Sequence, residues 1–199
     1  MASIIEKSIR TVVTKAVGAV AGMNRKRMPK LNAGNPYLIG LNQPMTEEKT
    51  IESLTVVGEI PRELDGRYMR IGPNPVFAPD PNSYHWFTGE GMAHGVRIKN
   101  GTALWYRNRW VRSNLVSKSL GEEPALGARN PRADNANTNI IAINGRTFAI
   151  VEAGAFPVEL EDGLDTLKHN PFDGTLGGSF SAHPHLDSAT GERHAICYD

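Results

Sequence analysis

Three glycine-closed turns, at Asn100-Gly101, Asn144-Gly145 and Thr190-Gly191, constrain this chain more than any other feature, because each separates two runs of β-compatible residues. An Asn-Gly pair takes positive φ at both positions at little cost, which a two-residue hairpin requires. The pattern predicts paired strands over 92–99 and 102–111, over 138–143 and 147–152, and over 183–187 and 193–198. The turn glycines lie 44 and 46 residues apart, close to the roughly 40–50 residues that one four-stranded propeller blade consumes. Within the second hairpin, Asn139-Ile-Ile-Ala-Ile143 is apolar on both faces, as expected of a strand buried between neighbouring sheets. Together these features predict an all-β chain built as part of a β-propeller. A closed propeller needs at least about four blades, and 199 residues supply about two and a half. The sequence stops at Ile196-Cys-Tyr-Asp199 inside a β-type run, so the expectation is a truncated chain with an open strand edge and an exposed apolar face.

The N-terminal region reads differently. Residues 1–30 hold seven basic residues (Lys7, Arg10, Lys15, Arg25, Lys26, Arg27, Lys30) against Glu6 alone, a net of +6 in a chain whose total is +1. The remainder is therefore net negative, which argues against nucleic acid as a partner of the main body. Ile5, Ile9, Val12, Val13, Ala16, Val17 and Val20 recur at helical spacing, predicting an amphipathic helix over 3–21 followed by a basic cluster and Pro29. Such a segment could touch anionic lipid, while a frayed or transit-like leader is the alternative. From Leu31 to Met45 the chain is rich in Asn, Gly and Pro and reads as a connector, giving a leader and linker over 1–34 and a body over 35–199. No apolar run reaches the roughly 18 residues of a spanning helix, and mean hydropathy is −0.35. A cytoplasmic protein is expected, with membrane contact through residues 3–30 left open. Cys197 is the only cysteine, which excludes an internal disulfide and a thiolate metal cluster, and it is expected to be a small buried hydrophobe.

Six histidines remain as chemistry-bearing candidates. Ser181-Ala-His-Pro-His185 offers two imidazoles at the start of the third hairpin. Neutral imidazole suits iron, zinc, copper or nickel, and a strand would send positions 183 and 185 to one face. One hairpin cannot by itself complete a metal site. His169 falls in a predicted loop and His194 in a predicted strand, both without evident partners.

Several segments, in order, resemble the N-terminal part of the carotenoid cleavage oxygenase family, non-haem iron enzymes that include lignostilbene dioxygenases and the retinoid isomerase of the visual cycle. The resemblance covers about residues 35–199. It rests on Val57-Gly-Glu-Ile-Pro-Arg-Glu-Leu-Asp-Gly-Arg-Tyr-Met-Arg-Ile-Gly-Pro-Asn-Pro75, His85-Trp-Phe-Thr-Gly-Glu-Gly-Met-Ala-His-Gly-Val-Arg97, Tyr106-Arg-Asn-Arg-Trp-Val-Arg112, Asn135-Ala-Asn-Thr-Asn139, Val151-Glu-Ala-Gly154, and Ser181-Ala-His-Pro-His185 with Thr190-Gly-Glu192.

The resemblance implies a seven-bladed propeller with Fe(II) on its axis, held by four histidines from different blades, three of them oriented by nearby acidic residues. His183 then looks like the first iron ligand and Glu152 like one of the orienting carboxylates, serving a histidine beyond residue 199. The competing reading of Glu152 is a strand-end acid in an ion pair. His85 and His94 belong to motifs that read as packing, His185 stands at a position that can vary to lysine in related sequences, and Thr88 stands where the family commonly has Asp. The implied reaction is dioxygen-dependent cleavage of one double bond of an apolar conjugated substrate, carotenoid, apocarotenoid or stilbene, into two carbonyl products. This portion alone is expected to be inactive. The alternative is a non-catalytic truncated remnant, at most an interaction module.

Overall fold

The computed structural model describes residues 4–28 and 34–197. Pro29 and Lys30 of the leader, the first residues of the connector from Leu31, and Tyr198 of the third hairpin lie outside them. The chain forms two units, one of Met1–Gln43 with Pro79–His85, the other of Pro44–Ala78 with Trp86–Asp199.

In the first unit, helix α1 spans Ile4–Arg27. It runs about two turns past the expected end, because Met23-Asn-Arg-Lys-Arg27 places three cations in the last turn, where they oppose the helix dipole. Glu6 lies in the first turn and pairs with Arg10 one turn on, at 3.0 Å. Ile5, Ile9, Val12, Val13, Val17 and Val20 are all exposed. No helix among the described residues is long and apolar enough to cross a membrane. Beyond the helix, Asn35 donates to the carbonyls of Pro81 and Tyr84 at 2.9 and 2.8 Å, and the Tyr37 ring lies 4.8 Å from that of His85.

The second unit is built of sheets. Strands β1 (Lys49–Glu52), β2 (Gly66–Pro73), β3 (Gly91–Lys99) and β4 (Thr102–Trp110) form an antiparallel sheet in the order β1-β4-β3-β2. A second sheet has the order β5-β9-β8-β7-β6, from β5 (Leu126–Gly127), β6 (Asn139–Ile143), β7 (Arg146–Ile150), β8 (Val158–Leu160) and β9 (Thr166–His169). Its strands β6 to β9 run antiparallel, and β5 pairs parallel to β9 at the edge. A short hairpin, β10 (His185–Leu186) with β11 (Arg193–His194), follows. The first two hairpins match the sequence expectation: Asn100 and Gly101 have φ of 51° and 76°, Asn144 and Gly145 50° and 76°, the mirror-image turn that Asn-Gly favours. The third is shorter than expected, and His183 precedes its strand, so positions 183 and 185 do not share a strand face.

The even glycine spacing marks turns that are not equivalent. Gly101 closes the second and third strands of the β2-β3-β4 meander, whereas Gly145 closes the first and second of β6-β7-β8-β9. The equivalent strands are β2 and β6, each the first of its meander and at the edge of its sheet, and these two touch. Ala93, Val111, Ala149, Val158, Leu160 and Leu164 form the core between the sheets, with Met69, Ile71 and Ile140 against it. The second sheet is covered on its other face too, where Phe148 and Ile150 pack with Phe180, Ile141 and Ile143. Residues 140 and 141 therefore serve opposite cores, which explains the unbroken apolar run. Burying a side chain such as Phe148, 1% exposed, contributes about 1.5–3 kcal/mol.

Helix α2 (Asn114–Leu120) covers part of the first sheet, with Val116 packed on Met92 and Trp110. Ser113 caps its start by accepting from the Val116 N–H, and Gly121 ends it at φ 72°. Cys197 is exposed rather than buried: strand pairing ends at His194, and neither Cys197 nor Ile196, 87% exposed, has a neighbouring strand to cover it among the described residues.

Candidate metal centre

Asparagines at alternate positions of Asn135-Ala-Asn-Thr-Asn139 organise the entry to the second sheet. Asn135 and Asn137 donate to the Gly89 carbonyl at 3.0 and 2.8 Å, and the side-chain Oδ1 of Asn135 accepts from the Gly91 N–H at 3.0 Å. Contact is so close that a Cβ on Gly91 would lie 1.9 Å from the Ala136 carbonyl oxygen. Asn139 then donates to the Ala182 carbonyl at 2.8 Å. That bond ties the segment carrying His183 to the start of β6. Behind it, Phe180 is buried edge-on against Phe172, ring centroids 4.9 Å apart, and Ala182 is fully buried. The arm is thus anchored up to residue 182.

His183 itself is exposed, its backbone N–H donating to the Ser181 hydroxyl at 3.2 Å. Glu152 stands two residues past β7, whose last residue, Ile150, pairs with Asn139. Both side chains therefore emerge at one end of the β6–β7 hairpin, with His183 Nε2 3.8 Å from Glu152 Oε1. At 3.8 Å the two side chains are neighbours without a hydrogen bond, and both are largely exposed. A carboxylate that accepts from the free N–H of a ligating imidazole fixes the orientation of that ring. Among the described residues no three His, Cys, Asp or Glu side chains converge. An imidazole fits iron by donor type.

The remaining histidines sit elsewhere. His169 is at the end of β9, not in a loop, and is 1% exposed. Its Nε2 lies 2.9 Å from the Arg112 carbonyl and so carries the hydrogen, leaving a buried Nδ1 with no partner among the described residues. Burial pushes this imidazole below its ordinary pKa, outweighing the Arg112 carbonyl. His94, half-buried on β3, has Nδ1 2.8 Å from the Tyr106 hydroxyl; burial, then Arg70, lower its pKa. His185 pairs with His194 across β10 and β11, and His194 Nε2 lies 3.9 Å from Glu192.

Sequence reading missed the asparagine ladder as a positioning device, although its every-second-residue spacing was visible. It also missed the ion-pair networks around Arg112 and Arg146, whose partners lie 10 to 64 residues away and leave no local signal.

Residues 42–199 match the family described as retinal pigment epithelial membrane protein. The carotenoid cleavage oxygenase of Mycobacterium tuberculosis is 51% identical over 168 residues, covering 82% of this chain and 33% of that protein. The carotenoid 9,10(9',10')-cleavage dioxygenase 1 of Phaseolus vulgaris is 33% identical over 192 residues, 81% of this chain and 35% of that one. Among solved structures, the lignostilbene dioxygenase of Pseudomonas brassicacearum superposes with a TM-score of 0.69 at 29% identity, over 86% of this chain and 38% of its own. The chain spans about a third of the length of the curated relatives it matches.

Proposed function

The chain belongs to the retinal pigment epithelial membrane protein family, that of the carotenoid cleavage oxygenases, and from that premise we propose that it forms the first part of an iron-dependent dioxygenase. The proposed substrate is an apolar conjugated molecule of carotenoid, apocarotenoid or stilbene type, cut at one double bond into two carbonyl products. In this reading the two sheets and the β10–β11 hairpin belong to a seven-bladed propeller over residues 35–199 and beyond, with residues 1–34 a leader.

The observation that carries the proposal is the approach of His183 to Glu152, 3.8 Å apart at the same end of the β6–β7 hairpin. His183 would be one ligand of Fe(II), which supplies the activation of dioxygen for the cleavage. Glu152 would steady another ligating histidine, one beyond residue 199, and Asn139 holds the backbone just before His183. The protein's part is placement, since a pre-set donor and a positioned substrate lower the barrier without a general base or nucleophile. With one imidazole, the 199 residues alone would neither retain iron nor turn over substrate.

A chimera tests this directly, with this chain replacing the matching third of the Mycobacterium tuberculosis relative. The chimera should hold iron and consume dioxygen with a carotenoid or stilbene, and His183→Ala should remove both. Retained iron and unchanged oxygen uptake in His183→Ala would overturn the assignment.

A further inference from the structure

A pocket of about 400 Å³ opens within the second unit, away from His183, lined by Arg67 at the start of β2, Arg97 on β3, Trp105 and Arg107 on β4, and Asp65 and Asp162. Its size falls in the roughly 300–1,000 Å³ range of small-molecule sites. Two of its three arginines are committed. Arg67 bonds the Thr147 hydroxyl at 2.8 Å and the Asp162 carboxylate at 3.2 Å. Arg97 bonds Asp65 and the Gly66 carbonyl.

Arg107 is different. Among the described residues its guanidinium has neither an ion pair nor a hydrogen bond, and its Nε is shielded from solvent. It lies over the Trp105 ring, Cζ 4.9 Å from the centroid. On its other flank Gly163 makes room: a Cβ there would sit 2.6 Å from Arg107 Nη1. Nε is closed off by the protein itself, so the donors left for a ligand are the two Nη groups, which bond no acceptor among the described residues.

The charges decide its kind. Asp65 and Asp162 offset Arg97 and Arg67, leaving one unmatched positive charge in the pocket. A single negative charge completes it, whereas a dianion would also meet two carboxylates. The flat fork of a guanidinium matches a carboxylate with two parallel bonds. We propose that this pocket binds a small organic monocarboxylate, seated on Arg107 beside Trp105.

Calorimetric titration of the 199-residue chain with sodium benzoate, benzyl alcohol and inorganic phosphate tests this. Benzoate should bind saturably, and benzyl alcohol and phosphate at least about tenfold more weakly. Arg107→Gln should lower benzoate affinity by about tenfold or more, Arg107→Lys by less, and Gly163→Ala should weaken it by displacing the guanidinium. Arg193→Gln, remote from the pocket, should leave it unchanged, and circular dichroism checks that each variant is folded. Equal binding of benzoate and benzyl alcohol, tighter binding of phosphate, or a folded Arg107→Gln with unaltered benzoate affinity would each overturn the proposal.

Discussion

Arg146 on β7 and Glu159 on β8 meet in a two-toothed pair, Nε to Oε1 and Nη2 to Oε2, both at 2.7 Å. The same arginine reaches Asp173 at 2.7 Å, and Asn170 donates to both carboxylates. This network clamps a tight turn in which Phe172 and Asp173 have φ of 48° and 55°, backbone that non-glycine residues rarely adopt. Glu159→Gln, at a carboxylate only 8% exposed, should cost about 1–3 kcal/mol in urea unfolding. The hydrogen bond from Arg146 holds Glu159 below its ordinary range and Asp173 at about 2. Groups with depressed folded-state pKa stabilise above their ordinary value and lose that contribution as protons bind. The thermal midpoint should therefore fall as pH drops from 3.8 towards about 2, less steeply in Asp173→Asn.

A second acid-sensitive leg should appear nearer neutrality. Protonating His169 places a second N–H at a buried Nδ1 that has no acceptor among the described residues. Its folded pKa is lowered from 6.5, so the unfolded chain binds the proton first. Stability present above that value is lost as pH falls through the folded pKa. His169→Gln, which keeps a donor for the Arg112 carbonyl, should flatten the thermal midpoint between about pH 7 and 5.

Gly91 cannot accept a methyl group, since its Cβ would meet the Ala136 backbone at 1.9 Å. Backbone of this kind yields only by separating the first sheet from the strand entering the second. Gly91→Ala should cost more than about 3 kcal/mol in chemical denaturation, against under about 1 kcal/mol for an alanine at exposed Gly177, where nothing lies within 4 Å.

In the chimera, Glu152→Gln should keep the fold but weaken iron retention about tenfold or more, as removal of a carboxylate behind a ligating imidazole does. His194→Ala, on an exposed strand residue, should leave iron and oxygen uptake unchanged. His169 is no control for this purpose, because its burial makes substitution there a stability experiment. Iron content by mass spectrometry separates these outcomes.

The exposed apolar residues of α1, with Arg25, Lys26 and Arg27 at its end, should bind anionic vesicles. Co-sedimentation with phosphatidylserine vesicles should fall sharply for Val13→Asp with Val17→Asp, and weaken in about 0.5 M salt. Binding that ignores both changes would assign the helix another role.

What was legible in the sequence was what local chemistry dictates. Asn-Gly turns announced two hairpins, and the period of apolar residues announced α1. The apolar run at 139–143 announced a strand with two covered faces. Strands β8 and β9 carry no such signal: they are three and four residues long, and one holds the buried Glu159 in place of a hydrophobe. Edge strands β1 and β5 exist only through partners 59 and 42 residues away, Asn108 for Lys49 and Lys168 for Leu126. Helix α2 was legible and overlooked, with Ser113 at its start and Gly121 at its end. At the candidate centre, the motif around His183 singled out the imidazole, but only the fold brings Glu152 to it.

The amides at 135, 137 and 139 act like rungs cut to a fixed gauge, reaching Gly89 on one side and Ala182 on the other. Deleting or adding a single residue within that stretch would throw both attachments out of step together. Length, more than chemical identity, is therefore the property this stretch is least free to change, and the seat of His183 inherits that rigidity.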